Sequence, residues 1–247
     1  MNFIKRLIPN NIKQEGKYIL YDLLKIPYNR HGLPVVIMEW LSADKPITFI
    51  DIGASKGDFA TSITKSYTIK KGILIEPLSS RIQGLNERFP NKAIFDILNL
   101  AVSDQSGEAD FYDATEWNVM SSLLEIKPEF YEAHVLTSPG KKIKVQTETL
   151  DNIVGQRKLD LVDLLKIDVQ GAEHLVLGSA ENMLKKTKLV YSEVSYRPLY
   201  EGSSTFFDIY KLLNERNFRF VAISTAGKMN GEIIQGDALF VNNGLCP

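Results

Sequence analysis

Four carboxylates stand at the ends of apolar runs. Asp51 follows Ile47-Thr48-Phe49-Ile50, Glu76 follows Gly72-Ile73-Leu74-Ile75, Asp168 closes the run from Leu161 to Ile167, and Glu193 closes the run from Lys188 to Ser192. An apolar run that ends in an acid reads as a strand with a carboxylate at its tip, and open α/β sheets bind their ligands beyond the carboxyl ends of their strands. Asp51 and Glu76 are 25 residues apart. That spacing suits a strand–turn–helix–strand unit whose second acid accepts hydrogen bonds from the two hydroxyls of a ribose. Asp168 and Glu193 face the place where a second substrate must enter. Gln170, Glu173 and His174 follow the first of these, and Tyr196, Arg197 and Tyr200 follow the second. A carboxylate or a histidine in hydrogen-bond reach can take the proton from a hydroxyl. Asp168, Glu193 and His174 are therefore the candidate catalytic groups, with Gln170, Tyr196 and Arg197 as candidate substrate contacts. Each has a plainer use: Asp168 as a helix cap, Glu193 as an ion-pair partner of Arg197, His174 as a helix-surface residue. A divalent cation on Asp168, Glu193 and a third oxygen is a further use of the acids. The three histidines (His31, His134, His174) show no H-x-x-x-H spacing, so a divalent metal is not the favoured reading.

The turn after Asp51 narrows the choice of nucleoside. It reads Asp51-Ile52-Gly53-Ala54-Ser55-Lys56-Gly57-Asp58-Phe59. A dinucleotide fingerprint would read G-x-G-x-x-G, and this turn does not. It is close to the D-x-G-x-G-x-G loop of S-adenosylmethionine (SAM) methyltransferases. SAM has no pyrophosphate to cradle, but its amino-acid tail and ribose must lie near the backbone, which favours residues without a bulky Cβ substituent. The alternative is an ordinary strand-to-helix turn of some other α/β enzyme, and Glu76 tips the reading towards SAM. Methyl transfer from a sulfonium is an in-line displacement on an already activated electrophile, so the protein's main task would be alignment.

The elements that must hold these residues alternate along the chain. With 247 residues, 44% hydrophobic and 24% charged, the chain can build one large α/β domain with a full core. The formal net charge of −1 argues against a broad nucleic-acid surface. Cys246 is the sole cysteine, so a disulfide framework is excluded; it is compatible with a reducing compartment, and the cytoplasm is the expected location. No apolar run approaches the roughly 20 residues of a membrane helix, and the start, with a basic pair but no apolar core after it, does not read as a signal peptide. Residues 1–45 read as a helical accessory segment, with apolar positions 3, 4, 7 and 8 expected to pack on the domain. Residues 46–247 read as the main domain. Strands are expected near 47–52, 72–76, 94–98, 161–168 and 188–193, with helices at 58–66, 78–89, 171–184 and 205–216. Residues 218–223 and 237–241 read as a closing hairpin. That alternation predicts a mostly parallel sheet with helices on both faces. Residues 107–112 and 141–145 alternate like strands, and an irregular insertion at about 113–140 lies between them, expected over the active site.

Together these residues resemble the FkbM family of SAM-dependent methyltransferases. The resemblance runs over about residues 47–242. It rests on Asp51–Gly57, Ile75-Glu76-Pro77, Ala101-Val102-Ser103-Asp104 with Gly107 and Phe111-Tyr112, Ser121-Ser122-Leu123, Thr149-Leu150-Asp151 and the block Leu165 to Glu173. Its most specific element is Lys-Ile-Asp-x-(Gln/Glu)-Gly-x-Glu. The family usually has Asn where this chain has Ser55, and both are small and polar. The resemblance implies a class I (Rossmann-like) methyltransferase fold, with a mostly parallel seven-stranded sheet, helices on both faces and an antiparallel closing strand. It implies SAM as cofactor, held by Asp51, Gly53, Ala54, Ser55, Gly57, Phe59, Glu76, Pro77, Ala101 and Asp168. It implies O-methylation of a small-molecule acceptor, a sugar hydroxyl on a nucleotide-sugar or surface-glycan unit. Other small molecules such as natural products, and a SAM-binding protein without catalysis, are the alternatives. The Asp168-Val169-Gln170-Gly171 run stands where an amino-methylating nucleic-acid enzyme would carry Asn/Asp-Pro-Pro-aromatic.

Overall fold

The protein is described here from a computed structural model, covering residues 32–114, 121–128, 140–229 and 231–246. Strands β1 (Ile47–Ile52), β2 (Ile69–Ile75) and β3 (Phe95–Leu98) alternate with helices α2 (Asp58–Ser66) and α3 (Ser79–Arg88), after a single helical turn α1 (Val35–Met38). A side sheet of β4 (Ala101–Val102), β5 (Gly107–Asp113) and β6 (Lys141–Glu148) interrupts the alternation. It resumes with α4 (Leu150–Arg157), β7 (Val162–Ile167), α5 (Glu173–Gly178), α6 (Glu181–Leu184), β8 (Thr187–Ser195), α7 (Phe206–Glu215), β9 (Phe218–Met229) and β10 (Glu232–Asn242). The main sheet has seven strands in the order β3-β2-β1-β7-β8-β10-β9. Only β10 runs antiparallel to its neighbours. This is the class I methyltransferase sheet expected from the sequence, with its antiparallel closing strand.

Burial on both faces explains the near-continuous apolar strands. All six residues of β1 and all six of β7 are buried. One face carries Ile50, Ile52, Leu165, Ile167 and Val190 into a core with α4, α5, α6 and α7. The other carries Phe49, Leu164 and Leu189 into a second core with Ala60, Ile63, Leu85 and the accessory residues Leu33, Ile37 and Leu41. Asp51 and Lys166 belong by alternation to this second face, and they are register partners across β1 and β7. The polarity of Asp51 and Lys166 is thus confined to one spot, at the carboxyl end of the two central strands, where the strand order reverses.

Two sequence expectations need adjustment. The single helix over 171–184 is two short ones, α5 and α6, broken at Ser179-Ala180, where the Ser179 hydroxyl donates to the Val176 carbonyl at 2.8 Å. The hairpin is longer than expected, 218–229 with 232–242. The helical reading of residues 1–31, and the parts 115–120 and 129–139 of the expected insertion, lie outside the described residues. Among the described residues no helix is long and apolar enough to cross a membrane.

Candidate active site

The turn after β1 is built on backbone bonds that leave its geometry little freedom. Gly53 and Ala54 both donate N–H to the Ile75 carbonyl at 3.0 Å, and Asp168 donates to the Ile52 carbonyl at 3.1 Å. Gly53 takes φ +74°, and a Cβ there would fall 1.9 Å from the Asp168 carbonyl oxygen. Gly57 takes φ +80°, and its Cβ would strike Phe89 and Leu85 at 2.7 and 2.9 Å. Both glycines are required, but the neighbours that exclude a side chain are β7's end and helix α3. Close packing of the protein on itself is thus one reason for both glycines, and Gly53 also lines the pocket.

Beyond the turn lies a pocket of about 730 Å³ of non-atom space, including its open mouth. Its polar walls are Ser55, Glu76, Arg81 and Asp168; its apolar ones include Ile75, Leu78, Val102, Phe111 and Leu123. Glu76 is 5% exposed. Its Oε2 accepts from the Ser55 N–H at 2.8 Å and its Oε1 from the Leu78 N–H at 3.0 Å. Burial raises its pKa, opposed by those two N–H donors and by Arg81 and Lys166. Arg81 donates to the Ser55 hydroxyl at 2.6 Å, so a small hydroxyl at position 55 is used to anchor the wall. Ser55 itself takes a left-handed backbone, φ 51°.

Lys166 is the residue that sequence reasoning quoted but did not use. It is 7% exposed, and its Nζ lies 3.1 Å from Asp51 Oδ1 and 3.5 Å from Asp168 Oδ2. It donates to the Gly53 carbonyl at 2.9 Å, and the Phe59 ring lies 5.9 Å from it. Burial alone would lower its pKa, but Asp51 and Asp168 override that and hold it above the usual lysine value. Asp51 is fully buried, and burial raises its pKa despite Lys166. The sequence signal was available: a lysine inside Leu164-Leu165-Lys166-Ile167 must find a partner or carry a large desolvation cost.

The second pair of acids is joined by Gln170. Its Nε2 donates to Asp168 Oδ1 at 2.8 Å and to Glu193 Oε2 at 2.9 Å, while its Oε1 accepts from the Tyr200 hydroxyl at 3.0 Å. Both amide N–H groups are therefore engaged within the protein. Asp168 lines the pocket with its side chain 40% exposed. Glu193 is held well above the usual glutamate range, by burial first and then by Asp168, Glu173 and Asp237, with Lys166 opposing. Glu173 is buried, and burial pushes its pKa up to about 7 against the N–H groups of Gly171 and Val169 that its Oε1 accepts.

Other sequence candidates fall in and out of this cluster. Pro77 and Ala101 line the pocket. Asp51, Ala54, Gly57 and Phe59 lie outside the lining; Phe59 stacks on Tyr191, with ring centres 6.1 Å apart. His174 lies outside the pocket lining, its charged neighbours being Asp104 and Asp208; burial lowers its pKa. Tyr196 packs on Phe206, with ring centres 5.5 Å apart, and Arg197 is exposed. From the insertion, Ser121 and Leu123 line the pocket, and the Ser122 hydroxyl donates to the Gln170 carbonyl at 2.8 Å. Ile126 bridges to Tyr200. Residues 121–128 thus form a strap from β5 to the loop after β8.

The Methyltransferase FkbM domain model matches residues 51–220, which include the end of β1, all of β2, β7 and β8, and both acid pairs. The chain belongs to the FkbM methyltransferase family. The 2-O-methyltransferase NoeI of Sinorhizobium fredii (strain NBRC 101917 / NGR234) is 29% identical over 215 residues, 85% of this chain and 84% of that protein. Among solved structures, a methyltransferase FkbM from Methylobacillus flagellatus KT has a TM-score of 0.48 at 13% identity; the match covers 78% of this chain but only 43% of that one. The SAM-bound magnesium protoporphyrin IX methyltransferase ChlM of Synechocystis PCC 6803 has a TM-score of 0.47 at 9% identity, covering 84% and 77%.

This FkbM methyltransferase is a SAM-dependent enzyme, and the residues present fit that cofactor. Each Glu76 oxygen accepts one backbone N–H and keeps a lone pair free for a ribose hydroxyl. The apolar wall from Ile75 to Leu123 suits a planar base, and Asp168 offers an anion to a cationic sulfur or ammonium group. For a divalent cation the fit is poorer: the Gln170 amide donor occupies the position between Asp168 and Glu193 that a shared ion would need. Among the described residues no group of three or more His, Cys, Asp or Glu is arranged to hold a metal.

Proposed function

We propose that this FkbM methyltransferase methylates a hydroxyl oxygen of a carbohydrate, on a nucleotide-sugar or surface-glycan unit, with Asp168 and Glu193 receiving the hydroxyl's proton. The observation that carries the reading is the acid pair itself. Two carboxylates on adjacent strand ends share one amide donor beside the pocket, and one is held well above the ordinary glutamate range. A carboxylate with raised proton affinity is a better base for an alcohol, whose own proton is held tightly until the transition state. The named relative is a 2-O-methyltransferase, which supports oxygen as the atom methylated. The lone Cys246 accords with a cytoplasmic setting.

In this reading Glu76 holds the ribose and the wall from Ile75 to Leu123 the base. SAM, when bound, supplies a methyl group activated by its sulfonium. Asp51, Gly53, Ala54, Ser55, Gly57 and Phe59 shape that end of the pocket, with Lys166 fixing the Gly53 carbonyl and Asp168 from beneath. The acceptor enters over β7 and β8, under the strap, with Tyr196 and Arg197 at the rim. Glu193 is the group in this pair suited to accept the proton, while Asp168 orients the hydroxyl from the pocket side. The test is transfer of labelled methyl from SAM to a panel of nucleotide-sugars and oligosaccharides, with and without EDTA. Labelled sugar that survives alkaline hydrolysis, formed equally with and without EDTA, is the expected result. Label on an amine or carboxylate acceptor, or activity abolished by EDTA and restored by magnesium or manganese, would replace the reading.

A further inference from the structure

Gln170 is held in an unusual way. It is an unbranched, non-glycine residue with φ 56°, a left-handed backbone that costs of order 1–3 kcal/mol and persists only where the surroundings over-determine it. Three elements grip it. Ser122 of the strap donates to its carbonyl, Tyr200 of the loop after β8 donates to its Oε1, and its Nε2 spans the two acids. Gly171, next in the chain, takes φ +95°, and a Cβ there would meet Tyr200 and Ser203 at 2.8 and 3.0 Å, so the turn leaves no room for a side chain. Tyr200 fixes the sense of the amide: a flip would turn Oε1 toward two carboxylates and waste the phenol's proton.

We propose that Gln170 is a positioning residue that sets the spacing of Asp168 and Glu193 and holds down the affinity of Glu193 for a proton. The inference rests on reading those acids as the proton-accepting pair. Both acceptor oxygens lie within 3 Å of one nitrogen, so the charge of Asp168 acts on Glu193 at close range. The N–H that the amide gives Glu193 favours its ionised form. The other charged or titratable groups facing Glu193 are Glu173 on α5 and Asp237 on β10, which oppose ionisation, and Lys166 on β7, which favours it. The Tyr200 hydroxyl completes the set, itself held up by burial and by these acids. Without the amide, Glu193 would retain its proton to higher pH. The strap, through Ser122, and the loop after β8, through Tyr200, both hold this residue, so their seating sets where its amide meets the acids.

The test uses the full chain and no acceptor. Gln170→Met keeps an unbranched side chain in the same backbone conformation and removes both donors. Unfolding in urea is followed from pH 5 to pH 9 for wild type, Gln170→Met, Glu193→Gln and the double variant. A raised folded-state pKa makes stability fall as pH rises through the window above the unfolded value. The loss in Gln170→Met should therefore grow with pH, by tenfold in the folded-to-unfolded ratio for each unit by which the pKa of Glu193 rises. In the Glu193→Gln background the same substitution should cost the same at every pH. Tyr200→Phe, which frees the amide to turn, should show a smaller loss with the same pH trend. A loss independent of pH in the wild-type background, or an equal slope in the Glu193→Gln background, overturns the proposal. If Gln170→Met does not fold at pH 8, folding must return at pH 5 or with Glu193→Gln, and failure of both also overturns it. Because no acceptor is involved, failure here leaves the sugar assay untouched, and failure of that assay leaves this result standing.

Discussion

Lys166→Met should be among the most damaging single substitutions in the chain that leave its shape intact. The stem length is kept, and what is lost is an ammonium 3.1 Å from a fully buried Asp51, 2.9 Å from the Gly53 carbonyl and 3.5 Å from Asp168. Removing one partner of a buried ion pair typically costs about 3–5 kcal/mol, because the other charge is left uncompensated. Against a total stability of roughly 5–15 kcal/mol that is a third or more of what holds the domain folded. The pH dependence has a definite sign. The pKa of Lys166 is raised above 10.5, so its contribution is present throughout ordinary pH and disappears only in strong alkali. Asp51 is already raised above 3.8 and would rise further without Lys166, so the variant's deficit should shrink as pH falls and the carboxyl becomes neutral. The assay is urea unfolding at pH 5 and pH 8 for Lys166→Met, Asp51→Asn and both together. The double variant should recover most of the loss. A cost below about 1 kcal/mol, the range of an exposed pair, or a cost unchanged by Asp51→Asn, would refute the reasoning.

Glu76→Ala removes the only acid lining the pocket at the end of β2 and frees the Ser55 and Leu78 N–H groups; SAM affinity measured by calorimetry should fall by about 1.5–3 kcal/mol, the value of a charge-assisted hydrogen-bond pair. Gly53→Ala should fail in stability before it fails in binding, since its methyl meets the Asp168 carbonyl and the positive φ alone costs about 1–2 kcal/mol; a variant with unchanged Tm would show that the turn is seated differently. Glu173, with its pKa pushed up to about 7, makes stability fall as pH rises from the ordinary glutamate value near 4.5 to about 7, and Glu173→Gln, which cannot ionise, should flatten the stability-against-pH curve in that window.

Much of this was legible from residue order. β1 and α2 fall on their expected boundaries because a continuous apolar run, a glycine turn and an amphipathic helix follow one another without ambiguity. The acids at the strand tips mark the switch point because strands buried on both faces tolerate charge only at their ends. Lys166 escaped notice for the same reason in reverse: it is an interior charge, explicable only by a register partner 115 positions away in Asp51. Gln170 lines the pocket, but that its N–H groups are engaged by both acids is a three-dimensional network no local pattern announces. The apolar wall of the pocket is assembled from β2, α3's entry, β4, β5 and the strap, elements distant in sequence, and no local pattern announces such an assembly.

The central claim, that the β1–β2–β7 switch point is the SAM site and β7–β8 the acceptor side, is tested most directly by a crystal structure of the full chain grown with S-adenosylhomocysteine. The account predicts both ribose hydroxyls within hydrogen-bond distance of the Glu76 carboxylate, the base against Leu78, Val102 and Phe111, and the sulfur on the Asp168 side facing Glu193. Density for the ligand elsewhere, or a ribose that leaves Glu76 bonded only to Ser55 and Leu78, would contradict it.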